Sequence, residues 1–123
     1  MIILITLCSC EKNKINPDPA IAIWGKWEII EIGNYPNMEA YPAKEYIEYL
    51  PDSIIGIYNY DTKEYKYSNY KYWIDSLYYE SIDYEEGREL VIERYYKFYD
   101  DKLRLDYKNM IAMHQTAIYK RVK

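Results

Sequence analysis

The sequence predicts an all-β protein, an antiparallel meander of about eight short strands. Three observations point there. Runs of β-forming residues recur along the chain, turn residues interrupt them at short intervals, and no helical period extends beyond two turns. The aromatic content adds a fourth hint: 18 Tyr and 3 Trp stand against a single Phe in 123 residues. AT-rich codon usage would raise Tyr and Phe together, so it does not account for Phe giving way to Tyr. A ring with one polar edge suits a half-exposed sheet or the mouth of a cavity.

In chain order, Trp24 to Ile32 (WGKWEIIEI) is the first strand and ends at Gly33-Asn34. The stretch Tyr35 to Ala43, with Pro36 and Pro42, reads as irregular. Glu45 to Leu50 stops at Pro51-Asp52, and Ile54 to Tyr60 stops at Asp61-Thr62. An alternative for Tyr41 to Tyr49 is a short helix at one end of the sheet. Glu64 to Ile74 alternates at Tyr65 and Tyr67, then again at Tyr70, Tyr72 and Ile74, so a bulge or tight turn is expected at Ser68-Asn69. Leu77 to Ile82 precedes a turn at Asp83 to Gly87. Glu89 to Tyr99 turns at Asp100-Asp101 into Lys102 to Tyr107, where Leu103, Leu105 and Tyr107 share one face. Thr116 to Val122 closes the chain. About eight antiparallel strands close into a barrel with room for a side-chain core or one small ligand. A two-sheet sandwich has the same periodicity and stays open as the alternative.

The amino terminus carries a separate message. Met1 to Leu7 is unbroken apolar sequence, too short to span a membrane, and runs into Cys8-Ser9-Cys10 and the polar Glu11-Lys12-Asn13-Lys14. Leu7-Cys8-Ser9-Cys10 resembles the lipobox of bacterial lipoproteins, with Leu three before the cysteine and a small residue just before it. That resemblance implies cleavage before Cys10 and attachment of acyl chains to it, since stable anchoring takes more than one chain. It divides the chain into a signal peptide (1–9), a lipidated cysteine with a flexible tether (10–20) and one β domain (21–123). No basic residue precedes the apolar core, although such signals normally open with one, so translation is expected to start a few codons upstream of Met1. The implied location is a bacterial cell envelope, most readily its outer membrane, with the membrane as a partner through the lipid.

Gly25-Lys26-Trp27, at the start of the first strand, is similar to the Gly-x-Trp signature that opens lipocalins and small bacterial lipocalin-like proteins. Tyr46 to Asp52, Tyr99 to Tyr107 and the terminal Tyr119-Lys120-Arg121 fit the same pattern. The resemblance implies that Trp27 plugs one end of a barrel and that Arg121 lies across its ring, a cation–π contact. The Thr-Asp-Tyr turn of larger lipocalins has no counterpart, which implies a barrel that is shortened, shallow or flattened. Family alone conveys little chemistry, because function resides in the cavity and loops.

Candidate chemistry is sparse. The formal charge of −4 argues against nucleic acid as a partner. His114 is the sole histidine, and lipidation of Cys10 with loss of Cys8 would leave no thiol, so neither a transition-metal site nor a nucleophile–base pair is expected. The expectation is therefore a non-enzyme without cofactor or metal. Carboxylates at Asp83, Glu85 and Glu86 and at Asp100-Asp101 read as solvated turns. The tyrosines Tyr65, Tyr67, Tyr70 and Tyr72 remain as candidate ligand-binding residues: directed into a barrel they would line a pocket for a small amphipathic or aromatic molecule. Cross-strand aromatic pairing, which only stabilises the sheet, is the competing reading. Two functional classes follow: a small-ligand binder, favoured by a cavity lined with Tyr65 and Tyr72, and an accessory lipoprotein that contacts another envelope protein, favoured by an aromatic patch on the outer surface.

Overall fold

The computed structural model describes residues 15–108, 110 and 112–123. The segment expected to be a signal peptide and Cys10 therefore lie outside the described residues. The first element is a single helical turn, α1 (Pro19–Ala22), which starts because the Asp18 carboxylate accepts the Ala20 N–H at 3.0 Å and Pro19 holds a first-turn position that needs no donor. It lies slightly before the expected domain start at Ile21. Nine strands follow: β1 (Gly25–Asn34), β2 (Asn37–Ala40), β3 (Glu45–Leu50), β4 (Ile54–Asn59), β5 (Glu64–Ile74), β6 (Tyr78–Glu85), β7 (Arg88–Tyr99), β8 (Lys102–Tyr107) and β9 (Thr116–Arg121).

Neighbouring strands pair antiparallel, and β1 also pairs with β9 from Trp27↔Arg121 to Gly33↔Thr116. That last pairing closes a ring through every strand except β2, so the fold is a barrel rather than the two-sheet sandwich. β2 is the strand beyond the expected eight: it lies in the stretch read as irregular and forms a hairpin on β1 through Glu31↔Ala40 to Asn34↔Asn37. Residues 45–49 are strand, not the alternative helix. Turns fall at the expected Asp positions, with Asp52 (φ 65) and Asp100 (φ 53) in the left-handed conformation that Asp tolerates. β6 runs on to Glu85, so the turn expected from Asp83 narrows to Glu86-Gly87, where Gly87 takes φ 75.

The register gives the barrel two unlike ends. One end gathers the start of β1, the end of β3, the β7–β8 turn and the end of β9, and α1 covers it. The other gathers the end of β1, the start of β3, the β6–β7 turn and the start of β9. The packed core (Ile23, Trp27, Tyr49, Ile55, Tyr72, Ile74, Tyr78, Leu103 and Leu105) is concentrated toward the α1 end.

Candidate functional site

The covered end is built around Trp27, which is 1% exposed, and Arg121, its cross-strand partner. The Trp27 indole N–H donates to the Ile23 carbonyl at 2.8 Å. The Arg121 guanidinium stacks on the ring, its central carbon 4.1 Å from the ring centre. Its two terminal nitrogens donate to the carbonyls of Trp24 (2.7 Å) and Ala22 (2.6 Å). Carbonyls at the end of a helical turn lack internal partners, so Arg121 supplies donors where the chain needs them. Gly25 makes the arrangement possible: it has φ +116, and a Cβ there would stand 2.8 Å from Arg121 Nη1. Gly25, Trp27 and Arg121 thus form one closure. Trp24, just outside β1, is 41% exposed.

The four candidate tyrosines do not share a face. β5 alternates without interruption, so Tyr65 and Tyr67 point outward while Tyr70 and Tyr72 turn inward. The expected irregularity is present, since β4 pairs Ile54 with Lys71 but Gly56 with Tyr67, leaving two extra residues on β5. It does not bring the tyrosines together. Tyr72 is buried in the core and donates to the Leu50 carbonyl at 2.6 Å. Tyr70 packs against that core from its edge. Tyr65 lies over Gly56, where a Cβ would meet its hydroxyl at 1.9 Å, and donates to Glu48 at 2.7 Å. Around it the outer face carries Tyr46 stacked on Tyr58, Lys26 over Tyr46, and Tyr60 donating to Glu28. Burial, reinforced by the hydrogen bond to Glu28, pushes the Tyr60 hydroxyl up to about 12.

Inside the barrel a polar chain runs from Tyr49 to Tyr78 (2.9 Å between hydroxyls) and on to the Glu80 carboxylate. Burial drives the pKa of both phenols well above its usual value, so both stay protonated and able to donate. Beyond them lies Arg94, whose Nη2 donates to the Tyr107 hydroxyl at 3.2 Å and whose guanidinium carbon sits 4.5 Å from the Tyr107 ring centre. Burial works against the charge of Arg94 more than any one neighbour favours it, but Glu80 together with Tyr119, Tyr107 and Tyr78 outweighs it and keeps the group cationic.

The uncovered half of the barrel is not filled. A cleft of about 190 Å³ is lined by Ile29, Ile32, Arg94, Tyr107, Gln115 and Tyr119. A second cleft, about 380 Å³, shares Ile29, Ile32 and Tyr119 and reaches Ile47, Tyr41 and Lys44. Both arise from the wall. β1 leaves β3 after Trp27↔Ile47 and takes β2 as its partner from Glu31 onward. The register against β9 slips between Ile29 and Glu31, so Ile29 and Ile32 both face inward.

Arg94 was not singled out from the sequence. The signal was there, because alternation along β7 places Arg94 on the same face as Ile92, Tyr96 and Phe98. His114 is exposed at the rim of the smaller cleft. The comparison with protein-family models gives no match, and neither does the comparison with curated proteins.

Proposed function

We propose that this protein is a lipid-anchored lipoprotein of a bacterial envelope, held through Cys10, whose lipocalin-like barrel binds a small amphipathic ligand in its uncovered half. In this reading it is a binder or carrier rather than an enzyme. The observation that carries it is the pair of adjoining clefts sharing Ile29, Ile32 and Tyr119, set against an opposite end closed by Trp27 and Arg121. An apolar wall with a few convergent polar groups is the usual form of a small-molecule site. The test is titration with an anilinonaphthalene probe, whose emission rises in an apolar pocket. Saturable binding that Ile32→Trp removes by filling the cleft supports the reading, and binding indifferent to Ile32→Trp contradicts it.

A second reading, an accessory lipoprotein that contacts another envelope protein, draws on the outward aromatics, above all Tyr67 at 69% exposure beside Tyr65. Exposed aromatic patches are characteristic of contact surfaces. Loss of co-purifying envelope protein in a Tyr65→Ser, Tyr67→Ser double variant would favour it.

A further inference from the structure

Two polar atoms in the uncovered half are buried without a hydrogen-bond partner among the described residues: Nε of Arg94 and Oε1 of Gln115. Both residues line the same cleft of about 190 Å³. A buried polar atom without a partner is destabilising, the more so on a charged group, so two in one cleft point to a polar guest. Arg94 Nη2 donates to Tyr107, while Nε, on the same edge of the guanidinium fork, has no hydrogen-bond partner among the described residues. That edge is the one that planar oxyanions engage with parallel hydrogen bonds. Ile29 and Ile32 then form an apolar path out of this cleft into the adjoining one.

We propose, resting on the ligand-binding reading above, that the guest is an amphipathic monocarboxylate, its carboxylate on Arg94 and its apolar chain along Ile29 and Ile32. Glu80 already stands near this guanidinium, so a guest with a single negative charge adds the least charge that still engages it. A doubly charged phosphate would leave excess charge in a low-dielectric interior that already holds Glu80. Gln115 Oε1 is itself an acceptor, so the side-chain amide turns over to present its NH2 to the headgroup. The smaller cleft takes the headgroup and first carbons, and the tail continues past Tyr119 toward Trp27 and Ile47.

The test is calorimetric titration of the purified full chain with octanoate and, separately, octan-1-ol, which has the same chain without the charge. The expected result is octanoate binding at least tenfold more tightly than the alcohol, with Arg94→Met abolishing the difference and leaving alcohol binding intact. Lys44→Met, which removes the cation of the adjoining cleft, should keep the preference. Equal binding of both probes to the unmodified protein overturns the carboxylate assignment while leaving the ligand-binding reading in place. Loss of the preference in Lys44→Met but not Arg94→Met overturns it as well. Binding of neither probe overturns both readings. Should Arg94→Met fail to fold, the comparison of the two probes on the unmodified protein decides.

Discussion

Arg121 lies against the indole of Trp27, 4.1 Å from its centre, and donates to the carbonyls of Ala22, the last residue of α1, and Trp24, two residues beyond it. One guanidinium therefore joins the last strand, the first strand and the segment that leads into the barrel. The stability of the covered end is concentrated in this relationship.

Trp27→Ala should cost roughly 3–5 kcal/mol, the range for deleting a large buried aromatic ring. That is a large share of the about 5–15 kcal/mol that holds a domain of this size together. Trp24→Ala, at a position 41% exposed, should cost less than about 1 kcal/mol. Chemical denaturation of both variants measures the difference. Equal losses would mean that Trp27 has no special place in the closure.

Arg121→Lys should destabilise by about 1–3 kcal/mol despite keeping the charge, because an ammonium can neither stack flat nor reach both carbonyls at once. Gly25→Ala should cost more than about 1 kcal/mol, since it strains the backbone and drives a methyl group toward Arg121. In the double variant the two losses should fall well short of additive, because they disturb one arrangement. Simple additivity would show two independent sites.

Most strands were legible in the sequence, because period-two alternation and Asp, Pro and Gly punctuation act locally. β2 was not: Asn37–Ala40 (NMEA) has no strand pattern of its own and extends only because β1 offers it a partner. Gly25, Trp27 and Arg121 could be named from sequence, since a short motif and the last strand carry them. Which way each tyrosine faces was harder to read, because Tyr is comfortable on either side of a sheet. Tyr65 satisfies its hydroxyl on Glu48 outside and Tyr72 satisfies its own on Leu50 inside. Arg94 was hidden by its type, since a strand arginine ordinarily faces water, and only its shared parity with Ile92 and Phe98 betrays it.

The protein should lose stability in alkali. Burial raises the phenols of Tyr49 and Tyr78 well above their usual value, and burial with the bond to Glu28 lifts Tyr60 to about 12. Between the unfolded value near 10 and these raised values the unfolded chain holds fewer protons than the folded one, so stability falls as pH rises. Below about pH 9 this contribution is constant. Denaturant midpoints from pH 8 upward, followed with tyrosinate absorbance, check this. Gradual ionisation of every tyrosine near the free value, without unfolding, would contradict it.

Cys10→Ser should leave the protein unprocessed or release it from the membrane, because the proposed acyl chains provide the affinity. Fractionation after a high-salt wash reads the outcome. A variant that still pellets with membranes like the native protein would remove the anchor from the account while leaving the barrel as described.

The most direct test of the central claim, that the uncovered half of the barrel binds a ligand, is solution NMR of the protein titrated with octanoate. The account predicts saturable amide shifts at Ile29, Ile32, Arg94 and Tyr119, with Tyr65, Tyr67 and Trp24 unmoved. Shifts confined to the outer residues around Tyr65 and Tyr67, or no saturable shift at all, would contradict it.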